Sequence, residues 1–249
     1  MRTWIGVGLM FAVASAPAAG QELVVSAAAS LTSAFREIGS AFEAEHRGVK
    51  VVFNFASSDI LLAQIAKGAP ADVFASADQD AMNRAEADHL LQPATRRDFA
   101  SNRLVLIVPA KAAPVAVTEL AALSQARFRR IAVGSPQTVP AGRYAKDALE
   151  RAHLWAAVAP KLVYAQNVRQ ALDYVAHEEV DAGFVYATDA ASLPAAVKVA
   201  FDAPTATPIS YPIAVVKDSR NRAIAAAFAD YVAAASGQRI LARFGFRVP

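Results

Sequence analysis

A chain of 249 residues is long enough for one large or two modest α/β domains with buried cores. Its formal charge of +3 is spread without a lysine or arginine block, which argues against nucleic acid as a partner. There is no cysteine, so disulfides are excluded and packing must supply the stability.

Residues 1–20 read as a secretory signal peptide. Arg2 supplies a positive start, Trp4 to Val13 form an apolar run too short to span a bilayer, and Ala14 to Gly20 are small residues with one proline. Cleavage is expected before Gln21. Removing Arg2 with this leader takes the formal charge to +2. The missing cysteine also removes lipid attachment at the mature N-terminus, so a soluble periplasmic protein without membrane insertion is expected.

The remainder alternates strand and helix. Glu22 to Ser26 reads as a strand, and Leu31 to Glu45 as a helix with Leu31, Phe35, Ile38 and Phe42 on one face. A strand over Val49 to Phe55 and a helix over Ile60 to Ala66 follow, the latter stopped by Gly68 and Pro70. Asp72 to Ala75 is the third strand and Asp78 to Ala87 the third helix. Such alternation predicts a parallel sheet with crossover helices. A long apolar strand, Arg103 to Pro109, opens a second series. It holds helices near Thr118 to Leu123, Gly142 to His153 and Val168 to Glu178, with strands Arg130 to Val133, Leu162 to Ala165, Ala182 to Tyr186 and Val197 to Phe201. Another apolar strand, Tyr211 to Val216, precedes helices over Arg222 to Ala234 and Gln238 to Phe244. The simplest architecture is two α/β lobes joined by two crossing segments, residues 21–102 with 211–249 and residues 103–210. A single elongated sheet is the alternative.

Five strand ends carry hydrogen-bond donors. Ser30 and Ser58 each stand where a strand gives way to a helix, where free backbone N–H groups and the positive end of the helix dipole favour an anion. Val139-Pro140-Ala141-Gly142 enters a helix through a proline and a glycine, so that the Ala141 N–H can stand clear. Asn167 suits an N-cap and leaves the Val168 N–H in the first turn. Tyr186 ends a strand with a phenol, its ring expected in the core and its hydroxyl free to reach a cleft. Each feature has an ordinary structural reading as a cap or core residue.

Six ordered motifs carry a resemblance over Glu22 to the end. They are Ala27-Ala28-Ala29-Ser30-Leu31-Thr32, Phe55-Ala56-Ser57-Ser58, Gly68-Ala69-Pro70-Ala71-Asp72-Val73-Phe74, Val139-Pro140-Ala141-Gly142-Arg143-Tyr144-Ala145, Asn167-Val168-Arg169 and Tyr211-Pro212-Ile213-Ala214-Val215-Val216. Together the chain resembles the molybdate-binding periplasmic proteins of ABC importers. The resemblance implies a two-lobed type II periplasmic binding protein fold, each lobe a mainly parallel sheet flanked by helices. It also implies a monomer that binds molybdate or tungstate between its lobes and docks on a membrane permease. Carried over by motif, the oxyanion ligands are Ser30, Ser58, Ala141, Val168 and Tyr186. Molybdenum would enter as molybdate, held through these residues with no direct protein–metal bond and no further cofactor. One position departs from the family pattern: Asp59 stands where a small neutral residue is usual, and a carboxylate there opposes a dianion unless it turns to solvent.

A fully deprotonated tetrahedral dianion only accepts hydrogen bonds, so neutral hydroxyls and amides suffice. Each such bond is worth roughly 1.5 to 3 kcal/mol. Arg143 and Arg169 read as solvent-facing helix residues that raise the local potential at most. No G-x-S-x-G elbow is present, and His46, His89, His153 and His177 have no evident carboxylate partner motif, so an enzyme is not expected. His177-Glu178-Glu179 reads as a polar helix end and not as a metal site. The rival within the same fold is a carrier of sulfate or phosphate; protonated phosphate needs an acceptor, which Asp59 could supply.

Overall fold

The computed structural model describes residues 20–112 and 117–249. The leader expected over 1–20 lies, apart from Gly20, outside them. Strands β1 (Gln21–Ala28), β2 (Val49–Ala56) and β3 (Val73–Ala75) run parallel with β1 between the others. Their crossovers are α1 (Thr32–Glu45) and α2 (Ser58–Ala66), and α3 (Gln79–Ala87) follows β3. The stripe of α1 buries Phe35, Ile38 and Phe42. Phe35 and Phe42 meet Phe228 edge-on, with ring centroids 6.1 and 5.2 Å apart, in an aromatic core that also binds the C-terminal region to this sheet.

Strands β4 (Arg97–Asn102) and β5 (Leu104–Pro109) are separated by Arg103 alone, yet they belong to different sheets. The sequence reading had no strand at β4. Its charged and polar ends hide the buried pair Phe99 and Ala100, a composition that suits an edge strand.

After β5 come a 3₁₀ turn at Leu120–Ser124, where a helix was expected, and β6 (Ile131–Gly134). Helix α4 (Pro140–Arg151), short α5 (Trp155–Val158), β7 (Leu162–Ala165) and α6 (Val168–Ala176) follow. Then come β8 (Ala182–Tyr186), α7 (Ala187–Ser192) and β9 (Val197–Asp202). Strand β10 (Ile209–Val215) starts two residues ahead of the sequence expectation, and α8 (Arg222–Ala233) and α9 (Ala235–Arg243) close the fold.

Two five-stranded sheets result, in the orders β2-β1-β3-β10-β4 and β7-β6-β8-β5-β9. In each, one strand runs against the other four: β10 in the first, β5 in the second. Both are the strands that arrive from the opposite sheet. The parallel strands β1, β2 and β3 of one lobe and β6, β7 and β8 of the other lead into the segments that line one interlobe cavity. This is where helix N-termini also gather.

Candidate functional site

All five residues carried over by motif, Ser30, Ser58, Ala141, Val168 and Tyr186, line this cavity. Its free volume of about 10 Å³ is far below the roughly 300 to 1,000 Å³ of drug-sized sites, so it admits only a ligand of few atoms. Among the described residues, none that lines it is Asp, Glu, Lys, Arg or His. Every one of the five is at least 96% buried.

Three of them stand in first turns. Ser58 and Val168 are the first residues of α2 and α6, and Ala141 is the second of α4 after Pro140. Their backbone N–H groups therefore have no intrahelical acceptor. Asn167 caps α6 through the Gln170 N–H at 3.0 Å, leaving the Val168 amide for the cavity. Neither serine is an ordinary N-cap. Ser30 sits inside a 3₁₀ turn at Ala29–Leu31, and the N-cap of α2 is Ser57.

Backbone groups of Ala77 and the side chains of Tyr211 and Asn102 hold the hydroxyls in place. Ser58 Oγ accepts from the Ala77 N–H at 3.0 Å, so its own proton remains to be donated. Ser30 Oγ lies 3.1 Å from the Tyr211 hydroxyl, which accepts from Asn102 Nδ2 at 3.3 Å. The Tyr186 hydroxyl reaches across from the second lobe and donates to the Ala77 carbonyl at 3.3 Å. Burial, more than any neighbouring charge, holds the Tyr186 and Tyr211 hydroxyls well above their ordinary pKa, so both stay protonated at neutral pH. The ring of Tyr186 is packed as expected, edge-on to Tyr211 with centroids 5.8 Å apart.

The structure decides three points that the sequence raised, and one of them, the solvent-facing reading of Arg143 and Arg169, is corrected. Asp59 does not turn to solvent: it is 8% exposed and paired with Arg84 and with Arg143, whose Nη1 is 2.7 Å from Oδ2. It is absent from the cavity wall. Arg143 and Arg169 are not solvent-facing. Arg143 binds Asp59 and Asp78, while Arg169 Nε lies 2.8 Å from the fully buried Asp189. Sequence alone leaves such pairs unseen because the partners are tens of residues apart. Gly142, finally, serves packing more than access. A Cβ there would lie 1.9 Å from the Gly134 carbonyl oxygen, which fixes how closely α4 approaches β6.

Ser57 was passed over in the sequence. Its Oγ lies in a residue of the cavity wall, is buried, and has no hydrogen-bond partner among the described residues. The doubled serine at the end of β2 was the available signal, but only the helix start distinguishes the two. Ala77 and Tyr211 were likewise missed as site residues: Tyr211 opens the last of the six motifs but was read only as strand, and a backbone carbonyl leaves no motif of its own.

Fold and site together define a two-lobed solute-binding protein whose closed interlobe cavity presents neutral donors. The family model described as bacterial extracellular solute-binding protein matches residues 23–247. The molybdate-binding protein ModA of Escherichia coli is 40% identical over 99% of both chains. Among solved structures, the substrate-binding domain of a putative molybdenum ABC transporter from Clostridium difficile is 36% identical, with a TM-score of 0.69 over 92% of this chain and 99% of that one. The periplasmic molybdate-binding protein of Azotobacter vinelandii has a TM-score of 0.80 at 25% identity, covering 91% of this chain and 99% of its own. The chain belongs to the bacterial extracellular solute-binding protein family and, within it, groups with the molybdate-binding proteins.

Proposed function

We propose that this protein captures molybdate, and also tungstate, in the interlobe cavity and delivers it to the membrane permease of an ABC importer. The observation that carries this reading is the cavity wall: a space for few atoms, lined by hydroxyls and first-turn amides and by no ionised side chain. A fully deprotonated dianion finds only donors useful, and several charge-assisted hydrogen bonds at roughly 1.5 to 3 kcal/mol each offset its desolvation. Ser30, Ser58, Ala141, Val168 and Tyr186 are the proposed ligands. Molybdenum makes no direct bond to protein, and no cofactor takes part. The protein acts as an exported periplasmic monomer, with 21–102 and 211–249 as one lobe and 103–210 as the other.

Phosphate is disfavoured because no carboxylate lies in the cavity wall to receive its proton, and Asp59 is held outside the wall by two arginines. Sulfate shares the charge of molybdate but is smaller, so discrimination rests on cavity size. Calorimetric titration of refolded, solute-stripped protein with molybdate, tungstate, sulfate and phosphate tests the assignment. Micromolar or tighter binding of the first two, with sulfate far weaker, is expected. Equal affinity for sulfate and molybdate would refute it.

A further inference from the structure

Among the described residues, every ionic partner of Arg143 lies on the opposite lobe. The guanidinium is carried by α4, which packs on the second sheet. Its Nη1 is 2.7 Å from Asp59 Oδ2 in α2, its Nε is 3.1 Å from Asp78 Oδ2, its Nη2 also pairs with Asp78, and its Nε is 3.9 Å from Asp80. These three carboxylates all belong to the first lobe. The pairs with Asp59 and Asp78 are shielded, these residues being 8% and 3% exposed, whereas Asp80 lies out in solvent. Arg169, by contrast, finds its carboxylate, Asp189, within its own lobe.

The two halves differ in what they retain if the lobes part. Asp59 keeps Arg84, which stands on α3 of its own lobe, and Asp78 keeps the Ala81 N–H that it caps and the Ser76 hydroxyl. Arg143 keeps no carboxylate. Its pairing energy is therefore available only in the closed form, and shielded pairs are weakened by salt much less than exposed ones. Arg143 also lies two residues beyond Ala141, so engaging the carboxylates fixes the helix turn whose amide faces the cavity.

From this geometry we infer that Arg143, Asp59 and Asp78 form an interlobe latch, with Arg143 as the positioning residue that holds the lobes shut and sets how long the solute is retained. Asp59, out of place beside an anion site, is thereby given a use: it anchors the closing arginine. The inference takes the cavity to be the solute site, as proposed above.

The chain has no native cysteine, so Ala87→Cys and Gln137→Cys, both exposed and on opposite lobes, can be spin-labelled without competition. Distances are then compared in the otherwise unaltered protein and in Arg143→Gln, first without any oxyanion. The substitution is expected to shift the population from the short interlobe distance toward longer ones. With molybdate as the probe, stopped-flow release from Arg143→Gln should be faster by about tenfold while association changes by less than about twofold, because a shielded charge pair acts mainly on dissociation. Asp78→Asn, which retains an oxygen to cap α3, should reproduce part of the effect, and the double variant should exceed Arg143→Gln alone by little. An unchanged distance distribution, or unchanged release, in Arg143→Gln overturns the latch. Should molybdate not bind at all, the proposed function fails, and the distance comparison alone decides the latch.

Discussion

Tyr186→Phe deletes one hydroxyl and leaves the ring where it packs, edge-on to Tyr211. If that hydroxyl turns from the Ala77 carbonyl to the oxyanion, the loss is roughly 1.5 to 3 kcal/mol, or about ten- to a hundredfold in affinity. Molybdate titration and thermal melting of the same variant separate this from a purely structural role: unchanged affinity with a lower melting temperature removes Tyr186 from the site. Asp189 offers a different measurement. Burial pushes its carboxyl up to about 6 from 3.8, with Arg169 and the Tyr186 N–H pulling the other way. Between those values the folded chain keeps a proton that the unfolded chain releases. This group's contribution to stability is thus present below about pH 4 and is lost as the pH rises through about 6, a change on the order of 3 kcal/mol. Asp189→Asn should therefore gain stability relative to the unaltered protein between pH 4 and pH 7, read from urea midpoints. The same difference at both pH values would mean that the carboxyl ionises in its ordinary range.

The elements that carry the site are held by contacts behind it. At the β6–α4 turn, Gly142 lets the helix start lie against the Gly134 carbonyl. Gly142→Ala must move backbone, since neither atom in that contact belongs to a flexible side chain. The expected outcome is a fall in stability of about 1 to 3 kcal/mol, together with weaker oxyanion binding as the Ala141 amide shifts. Melting and titration check both; unaltered affinity in a destabilised variant would show that the amide does not contact the solute. The crossing strand β10 has a comparable part in the first lobe. It brings Tyr211 beneath Ser30 and, through Asn102 on β4, ties the serine to the edge of the sheet.

At the scale of the molecule, two connections join the lobes, Arg103 between β4 and β5 and the segment between β9 and β10. A solute gripped by both lobes stabilises the folded state by mass action. At a hundred times its Kd, molybdate should add about 2.7 kcal/mol and raise the melting temperature by roughly 5 to 10 °C for a chain of this size. Sulfate at the same concentration should move it far less. Equal shifts from both anions would argue that they act as general salts and not through the cavity.

Periodic patterning and strand–helix junctions made most of the elements legible in the sequence: the stripe of α1, the unbroken apolar runs of β5 and β10, and the order of the two series. These are local properties, set by side-chain spacing within a dozen residues. β4 escaped because an edge strand needs little apolar surface, and α5 and α7 because one or two turns make no period. The five donor residues were named from motifs, and the fold brings them to one cavity. What surrounds them was decided only by tertiary structure: Ser57 and not Ser58 holds the N-cap position of α2, Tyr211 backs Ser30, and Asp59 meets Arg84 and Arg143 away from the wall. A charged side chain's environment depends on partners brought from distant parts of the chain. No spacing along the sequence records where two lobes will touch.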